Sequence, residues 1–206
     1  MMKLSTCILA VLACWLPALA LAGEDPAIQL EETIDSALEV FYEPGAAEKS
    51  GKEKRMRIAA LLSESYDLSI IMRRAMGRNW KKLSPAEQEE VLALFDQLVV
   101  KVTYDRLTSG IEKPEIRYGK TVYQSDKRVS IPSVITVEGS SYKVSYSLAK
   151  LASGWQIYDI VAEDISFVSN YRQQFNDHFR RKDGAALIEK LKEKLTNDDA
   201  TAQLNL

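Results

Sequence analysis

Between Pro114 and Asp164 the apolar residues stop recurring at helical spacing and begin to alternate with polar ones. Residues 115–123, 127–138, 141–150 and 154–162 read as four strands, separated by Ser125-Asp126, Gly139-Ser140 and Ser153-Gly154. Connections this short leave no room for a crossover helix, so neighbouring strands are expected to pair antiparallel as a meander. In the third strand Tyr142, Val144, Tyr146 and Leu148 share one face, while Lys143, Ser145 and Ser147 share the other. Such a sheet has one apolar face that needs a cover and one wetter face.

Helical patterns flank the strands. Residues 27–41 place Ile28, Ile34, Leu38 and Phe41 between acidic residues, and Pro44-Gly45 ends that helix. The charged run from Lys49 to Arg57, read as a solvated face, opens a second, with Met56, Ile58, Ala59, Leu61 and Leu62 as its apolar side. A third starts after the cap residue Asp67 and ends near Gly77. Ser84, Pro85 and Glu87 spell a capping box for a long fourth helix, with a stripe of Val91, Leu94, Phe95, Leu98 and Val102 reaching to about Leu107. After the strands, Asp164 is expected to cap a helix carrying Ile165, Val168, Tyr171 and Phe175, and Gly184 opens a last one with Leu187, Ile188, Leu191 and Leu195. Helices, then strands, then helices is an α+β order: an antiparallel four-stranded curved sheet covered on one face by helices. Periodicity leaves open whether the layers close into a solid core or stand apart around a cavity.

The first residues read as an export signal. Lys3 supplies the positive start, Leu4 to Leu16 the apolar core, and Ala20-Leu21-Ala22 a small-residue cleavage site. Leu12-Ala13-Cys14 offers a fainter lipoprotein-type alternative, which would leave an apolar stub on the mature chain. Cleavage after Ala22 divides the chain into a signal peptide (1–22) and a single domain (23–206), and removes both cysteines, Cys7 and Cys14. The mature chain then has no thiolate for a disulfide, metal or nucleophile. Losing Lys3 takes the net charge from −2 to −3, a weak acidity that argues against nucleic acid as a partner.

Catalytic groups are sparse. His178 is the one histidine, beside Asp177 and close to Arg180 and Arg181, where a solvated or capping role is expected. Asp159, a carboxylate within an apolar strand, is the one candidate general base, weighed against a strand-end carboxylate held by an arginine or by backbone donors. Tyr104, Tyr142, Tyr146, Tyr158 and Tyr171 read as wall rather than reagent, since each buries a ring while keeping a hydroxyl for a wet edge. No metal or cofactor site is expected.

The joint between the last strand and the following helix carries a resemblance. Trp155-x-x-Tyr158-Asp159, then Glu163, Ile165-Ser166 and Asn170-Tyr171-Arg172-x-Gln174-Phe175 resemble the closing segment of the MlaC, or toluene-tolerance auxiliary, proteins. The hopanoid-associated HpnM proteins share this layout. Ala75-x-Gly77-x-x-Trp80, Ser84-Pro85-Ala86-Glu87 with Phe95, and Gly184-Ala185-Ala186-Leu187-Ile188 are collinear with the same family. One departure is Asp164, where the family usually has Gly. The resemblance implies a periplasmic phospholipid carrier that is not an enzyme and holds acyl chains in an apolar cavity between sheet and helices. It also implies an inner-membrane ABC transporter with a lipid-binding subunit and an outer-membrane lipoprotein complex as partners, in maintaining outer-membrane lipid asymmetry. On that reading the lipid wall is the inward sheet face and the helices opposite: Leu98, Val102, Val129, Ile131, Ile135, Tyr142, Val144, Tyr146, Ile157 and Val168. A hopanoid or other isoprenoid is the alternative lipid, and an enzyme using Asp159 the alternative class.

Overall fold

A computed structural model describes residues 25–109 and 112–196. The expected signal peptide and the polar tail from Asn197 lie outside the described residues. Helices α1 (Pro26–Tyr42), α2 (Gly51–Ser65), α3 (Leu68–Met76) and α4 (Pro85–Ser109) precede the strands. Strands β1 (Glu115–Tyr118), β2 (Val122–Ser125), β3 (Arg128–Val137), β4 (Ser140–Leu151), β5 (Gly154–Ala162) and β6 (Ile165–Ser166) follow, and then α5 (Phe167–His178) and α6 (Gly184–Thr196).

The helices begin where side chains satisfy their free first-turn N–H groups. Asp25 accepts from the Ala27 amide at 2.9 Å, and Asp67 accepts from Ser69 and Ile70. Ser50 with Glu53 forms a capping box at α2. Ser84 and Glu87 do the same at α4, with the Ser84 amide donating to Glu87 at 2.7 Å and the Glu87 amide to the Ser84 hydroxyl at 3.3 Å. Gly77, at φ +53°, closes α3 in a conformation that a Cβ disfavours.

The sheet is antiparallel and runs β1-β3-β4-β5-β6, with β2 also on β3. It has six strands where the sequence suggested four. The expected first strand is broken at Gly119, whose amide donates to the Pro132 carbonyl at 2.7 Å. Pro132 has no N–H to return on that side, so the ladder is interrupted there and resumes as β2. A Cβ on Gly119 would lie 3.0 Å from the Pro132 ring, which leaves room for glycine at the break. Hairpin β3–β4 turns at Glu138-Gly139, both at positive φ, as a tight two-residue turn requires.

The second correction concerns the joint after β5. Asp164 is not a helix cap. Glu163 and Asp164, at φ +46° and +65°, make a two-residue turn into β6, and Ser166 caps α5 by accepting from the Ser169 amide at 3.0 Å. The Glu163 amide donates to the Lys143 carbonyl at 2.9 Å, and the Lys143 amide donates to the Glu163 carboxylate at 2.6 Å, which pins the turn against β4. Asp164 thus adopts a backbone conformation that glycine adopts freely.

Buried apolar side chains fall into three clusters. The largest joins α3, α4, α5 and α6 around Phe95, Phe175, Met72 and Leu187. A second joins Leu30 of α1 to Val129, Ile131, Tyr146, Leu148 and Trp155 of the sheet. The third joins α1 to α2 and α4 through Val40, Ile58 and Leu61. Residues Ala27, Leu30, Ile34, Ala37 and Phe41 form one stripe on α1, whose first half lies on the sheet and whose second half lies on helices. Ile28, expected on the buried side, is 55% exposed instead.

Replacing Asp164 by Gly should raise stability by about 0.5 kcal/mol, relief of left-handed strain exceeding the added chain entropy. Urea unfolding with an unchanged m-value would show it as a higher midpoint, whereas a lower one would make the aspartate carboxylate the stabilising element.

Candidate functional site

Strand register assembles an apolar face. Reading across the sheet, Ile116, Ile135 and Tyr142 form one row, Tyr118, Ser133, Val144 and Ala162 the next, Ile131, Tyr146 and Ile160 a third, and Val129, Leu148 and Ile157 a fourth. Alternation puts all four rows on the side that receives α1. Cover is graded along this face. Val129, Ile131 and Leu148 are fully buried, Tyr146 is 8% exposed, and Val144 and Ile135 are half-buried. Beyond them Tyr142 is 47% and Ile160 37% exposed, with Ile165 of β6, paired to Ala162, 63% exposed. A contiguous apolar strip of this kind, continuous with a buried core, marks a contact surface.

Seven of the ten residues expected to form a lipid wall, Val129, Ile131, Ile135, Tyr142, Val144, Tyr146 and Ile157, therefore share one face. Leu98 and Val168 sit inside the helical cluster, at 2% and 3% exposure. Val102 of α4 is half-buried and outside the three clusters. Ile116, Tyr118 and Ile160 belong to the same face and were not named from sequence; the alternation of β1 and β5 carried the signal, but the register did not follow from it.

The polar groups on and beside this face include tyrosines, the Gln29 amide and Ser133, whose hydroxyl donates to the Val144 carbonyl at 3.1 Å. The Tyr118 hydroxyl and Gln29 Oε1 are buried without a hydrogen-bond partner among the described residues. The Tyr118 hydroxyl is pushed far above its ordinary pKa, first by burial and then by Tyr146, Asp35 and Glu31. Burial also raises Tyr146, while a hydrogen bond with Ser133 opposes the shift. Both are neutral hydroxyls over the physiological range.

A cavity of about 430 Å³ lies on the opposite side of the sheet. It is floored by Pro132, Val134, Ser145 and Val161 and flanked by Arg117, Lys143 and Asp164. Another of about 840 Å³ lies where α2, α3 and α4 meet the β4–β5 turn, lined by Glu64, Tyr66, Asp67, Asp96 and Ser153 among others. Burial raises the Asp96 carboxyl above its usual range. The Tyr66 hydroxyl, buried without a partner among the described residues, is raised first by burial and then by Asp96.

Among the described residues Asp159 has no arginine partner. Its Oδ1 accepts from the Val168 amide at 3.1 Å and its Oδ2 from the Ser166 hydroxyl at 2.6 Å, so both oxygens hold the start of α5. Of the two kinds of partner expected for Asp159, backbone donors are the ones present, joined by a hydroxyl. His178 is buried rather than solvated, with Nε2 3.0 Å from the Asp183 carbonyl, where it ties the end of α5 to the start of α6. Among the described residues no group of three or more acidic, histidine or cysteine side chains is placed to hold a metal ion.

The profile of the family described as MlaC protein matches residues 31–193. The chain belongs to the MlaC family. Among solved structures, the phospholipid-binding protein of Ralstonia solanacearum, determined in complex with a phospholipid, has the same fold, with a TM-score of 0.73 at 20% identity. The likeness covers 83% of this chain and 97% of that one. No curated protein matches the chain. The MlaC assignment agrees with a face built from apolar side chains, and it points to a binding or transport protein. Among the described residues, no helix of this MlaC protein is long and apolar enough to cross a membrane.

Two predictions concern the titratable groups. Removing both acceptor bonds with Asp159→Ala should cost about 3 kcal/mol, at about 1.5 or more for each bond to a charged group. Asp159→Asn, which keeps one carbonyl acceptor, should cost less, as read from denaturant midpoints. For Asp96 the folded-state pKa is raised, so the folded protein binds more protons than the unfolded chain once pH exceeds the unfolded value of about 4. Its contribution to stability therefore falls as pH rises through the folded pKa. Asp96→Asn should flatten the loss of unfolding free energy as pH rises above about 4; an unaltered pH profile would mean that Asp96 is well solvated.

Proposed function

We propose that this protein is a periplasmic phospholipid carrier, exported by its first 22 residues and folded thereafter as one lipid-binding domain. Acyl chains lie on the inner sheet face, along Ile135, Tyr142, Val144 and Ile160, with Val129, Ile131, Tyr146 and Ile157 as the closed end beneath α1. The observation that carries this reading is the graded cover of that face, apolar but for Ser133 and the tyrosine hydroxyls and open at Tyr142 and Ile160. The Ralstonia protein of the same fold, determined with a phospholipid, supports phospholipid over other apolar ligands.

The magnitudes explain why a carrier needs little else. Each buried CH₂ is worth about 0.8 kcal/mol, so a chain of about 16 carbons loses on the order of 13 kcal/mol in water. Crossing an aqueous compartment therefore requires a protein surface that replaces the membrane's apolar contacts and gives them up again. The membrane partners of this cycle are an inner-membrane ABC transporter, through its lipid-binding subunit, and an outer-membrane lipoprotein complex. Together they maintain the lipid asymmetry of the outer membrane.

Organic extraction of the purified full chain, followed by mass spectrometry, should recover about one phospholipid per protein. Recovered hopanoid would replace the ligand, and a lipid-free protein would overturn the carrier. Val144→Asp places a charge in the half-buried centre of the face and should reduce co-purified lipid about tenfold or more. Undiminished lipid in a folded Val144→Asp protein would move the site elsewhere.

A further inference from the structure

The outer side of the sheet holds a second feature, which shares only Ile157 with the residues named on the apolar face. Register places Arg128, Ala149 and Gln156 in one row across β3, β4 and β5. A narrow cleft of about 190 Å³ lies between this row and α3, lined by Asp67, Ile70, Arg74, Arg128, Ala149, Leu151, Gln156, Ile157 and Tyr158. Two arginines from separate elements, Arg74 of α3 and Arg128 of β3, thus line one cleft.

Neither is neutralised. Among the described residues Arg74 and Arg128 make no ion pair. Arg74 is held in place instead, its guanidinium 4.6 Å from the centre of the Tyr158 ring and its carbonyl accepting from Arg172 Nη2 at 2.7 Å. The one carboxylate in the wall, Asp67, is engaged elsewhere: its Oδ1 accepts from the Ser69 amide, the Ser69 hydroxyl and the Ile70 amide at the start of α3. Gln156, also in the wall, donates its Nε2 to the Glu64 carbonyl at 3.1 Å, so its Oε1 is the acceptor not used by that bond. Two cations against one carboxylate leave a net charge of +1 in the wall, matched to a group with one negative charge. Planar guanidinium forks present paired N–H donors at the spacing of phosphate oxygens. Ile70, Ala149, Leu151 and Ile157 supply an apolar surface beside them for the carbon substituents.

We propose that this cleft is a phosphodiester-binding site, in which Arg74 and Arg128 clamp the phosphate of a glycerophosphodiester. That chemistry has two sources, the head group of a lipid or a free soluble diester. The neighbouring cavity has Glu64 and Asp96 in its wall and no arginine or lysine, so it offers the same ligand no cationic partner. The site does not depend on the carrier reading, because it lies on the other side of the sheet from Val144 and Tyr146.

The test is a titration of the delipidated full chain with glycerophosphoglycerol, followed by the NMR signals of the Arg74 and Arg128 side chains and of Tyr158. Saturable shifts at these groups are expected, and R74Q and R128Q should each weaken the affinity about tenfold. Absence of shifts, or unchanged affinity in both variants, would overturn the site. Because Arg74 also stacks on Tyr158, R128Q, at the exposed first residue of β3, carries the test should R74Q lower the melting temperature. Repeating the titration on protein loaded from phosphatidylglycerol vesicles separates the sources: a lipid head group in the cleft blocks the soluble diester, whereas a free-diester site binds it equally before and after loading. If vesicles load no lipid, the carrier reading fails while the titration of the unloaded chain still decides the cleft.

Discussion

Asp159 joins two parts of the molecule that otherwise have separate cores. It sits on β5, the strand beside which the helices pack, and its two oxygens hold the Ser166 hydroxyl and the Val168 amide at the start of α5. Around it the same strand makes two more ties. Gln156 donates to the Glu64 carbonyl at the end of α2, and Ile157 forms a parallel bridge with Tyr66 between α2 and α3. Further along, Tyr158 lies under Arg74 of α3. β5 is thus a seam: on one side it continues the sheet, and on the other it satisfies backbone and side-chain groups of three helices. A half-buried carboxylate with two donors is worth more here than a surface ion pair, because leaving it unpaired would cost the full desolvation of a charge.

That seam has a consequence for the apolar face. Because α3, α4, α5 and α6 pack around their own Phe95 and Phe175, the helical part draws its stability from within rather than from covering the sheet. Only α1 contributes helix residues to the sheet's buried cluster, and its apolar stripe crosses from Leu30 on the sheet to Phe41 on α2 and α4. One helix about 10 Å wide cannot cover every row of a curved sheet. The rows of Tyr142 and Ile160 are left half-open as a result. An ordinary core would have closed them with a second helix, and the fold spends its remaining helices elsewhere.

What the sequence made legible follows from which interactions are local. Capping boxes span three residues, so Ser84-Glu87 and the Asp67 cap are readable from residue order alone. Alternation spans two, so Val144, Tyr146 and Leu148 were assignable to one face. The failures are long-range or depend on backbone sign. Gly119 interrupts a strand because Pro132, thirteen residues later, lacks the N–H that would pair there. Asp164 looks like a helix cap, and only the positive φ of Glu163 and Asp164 shows that the cap is Ser166. Leu98 and Val168 have the periodicity of inward residues, yet periodicity does not say whether inward means toward the sheet or toward another helix. Both point into the helical cluster.

The tyrosines show how such a face can be both apolar and polar at its margin. Burial raises Tyr118 and Tyr146 far enough that each hydroxyl remains protonated, so each is a neutral donor and acceptor rather than a base. A neutral hydroxyl next to Val144 and Ile131 adds no charge that an apolar ligand would have to displace. Tyr118 of β1 and Tyr146 of β4 share this face with β3 between them. A lysine or glutamate at either position would need a counter-ion inside the face, and the desolvation of that pair would exceed what one more apolar contact returns.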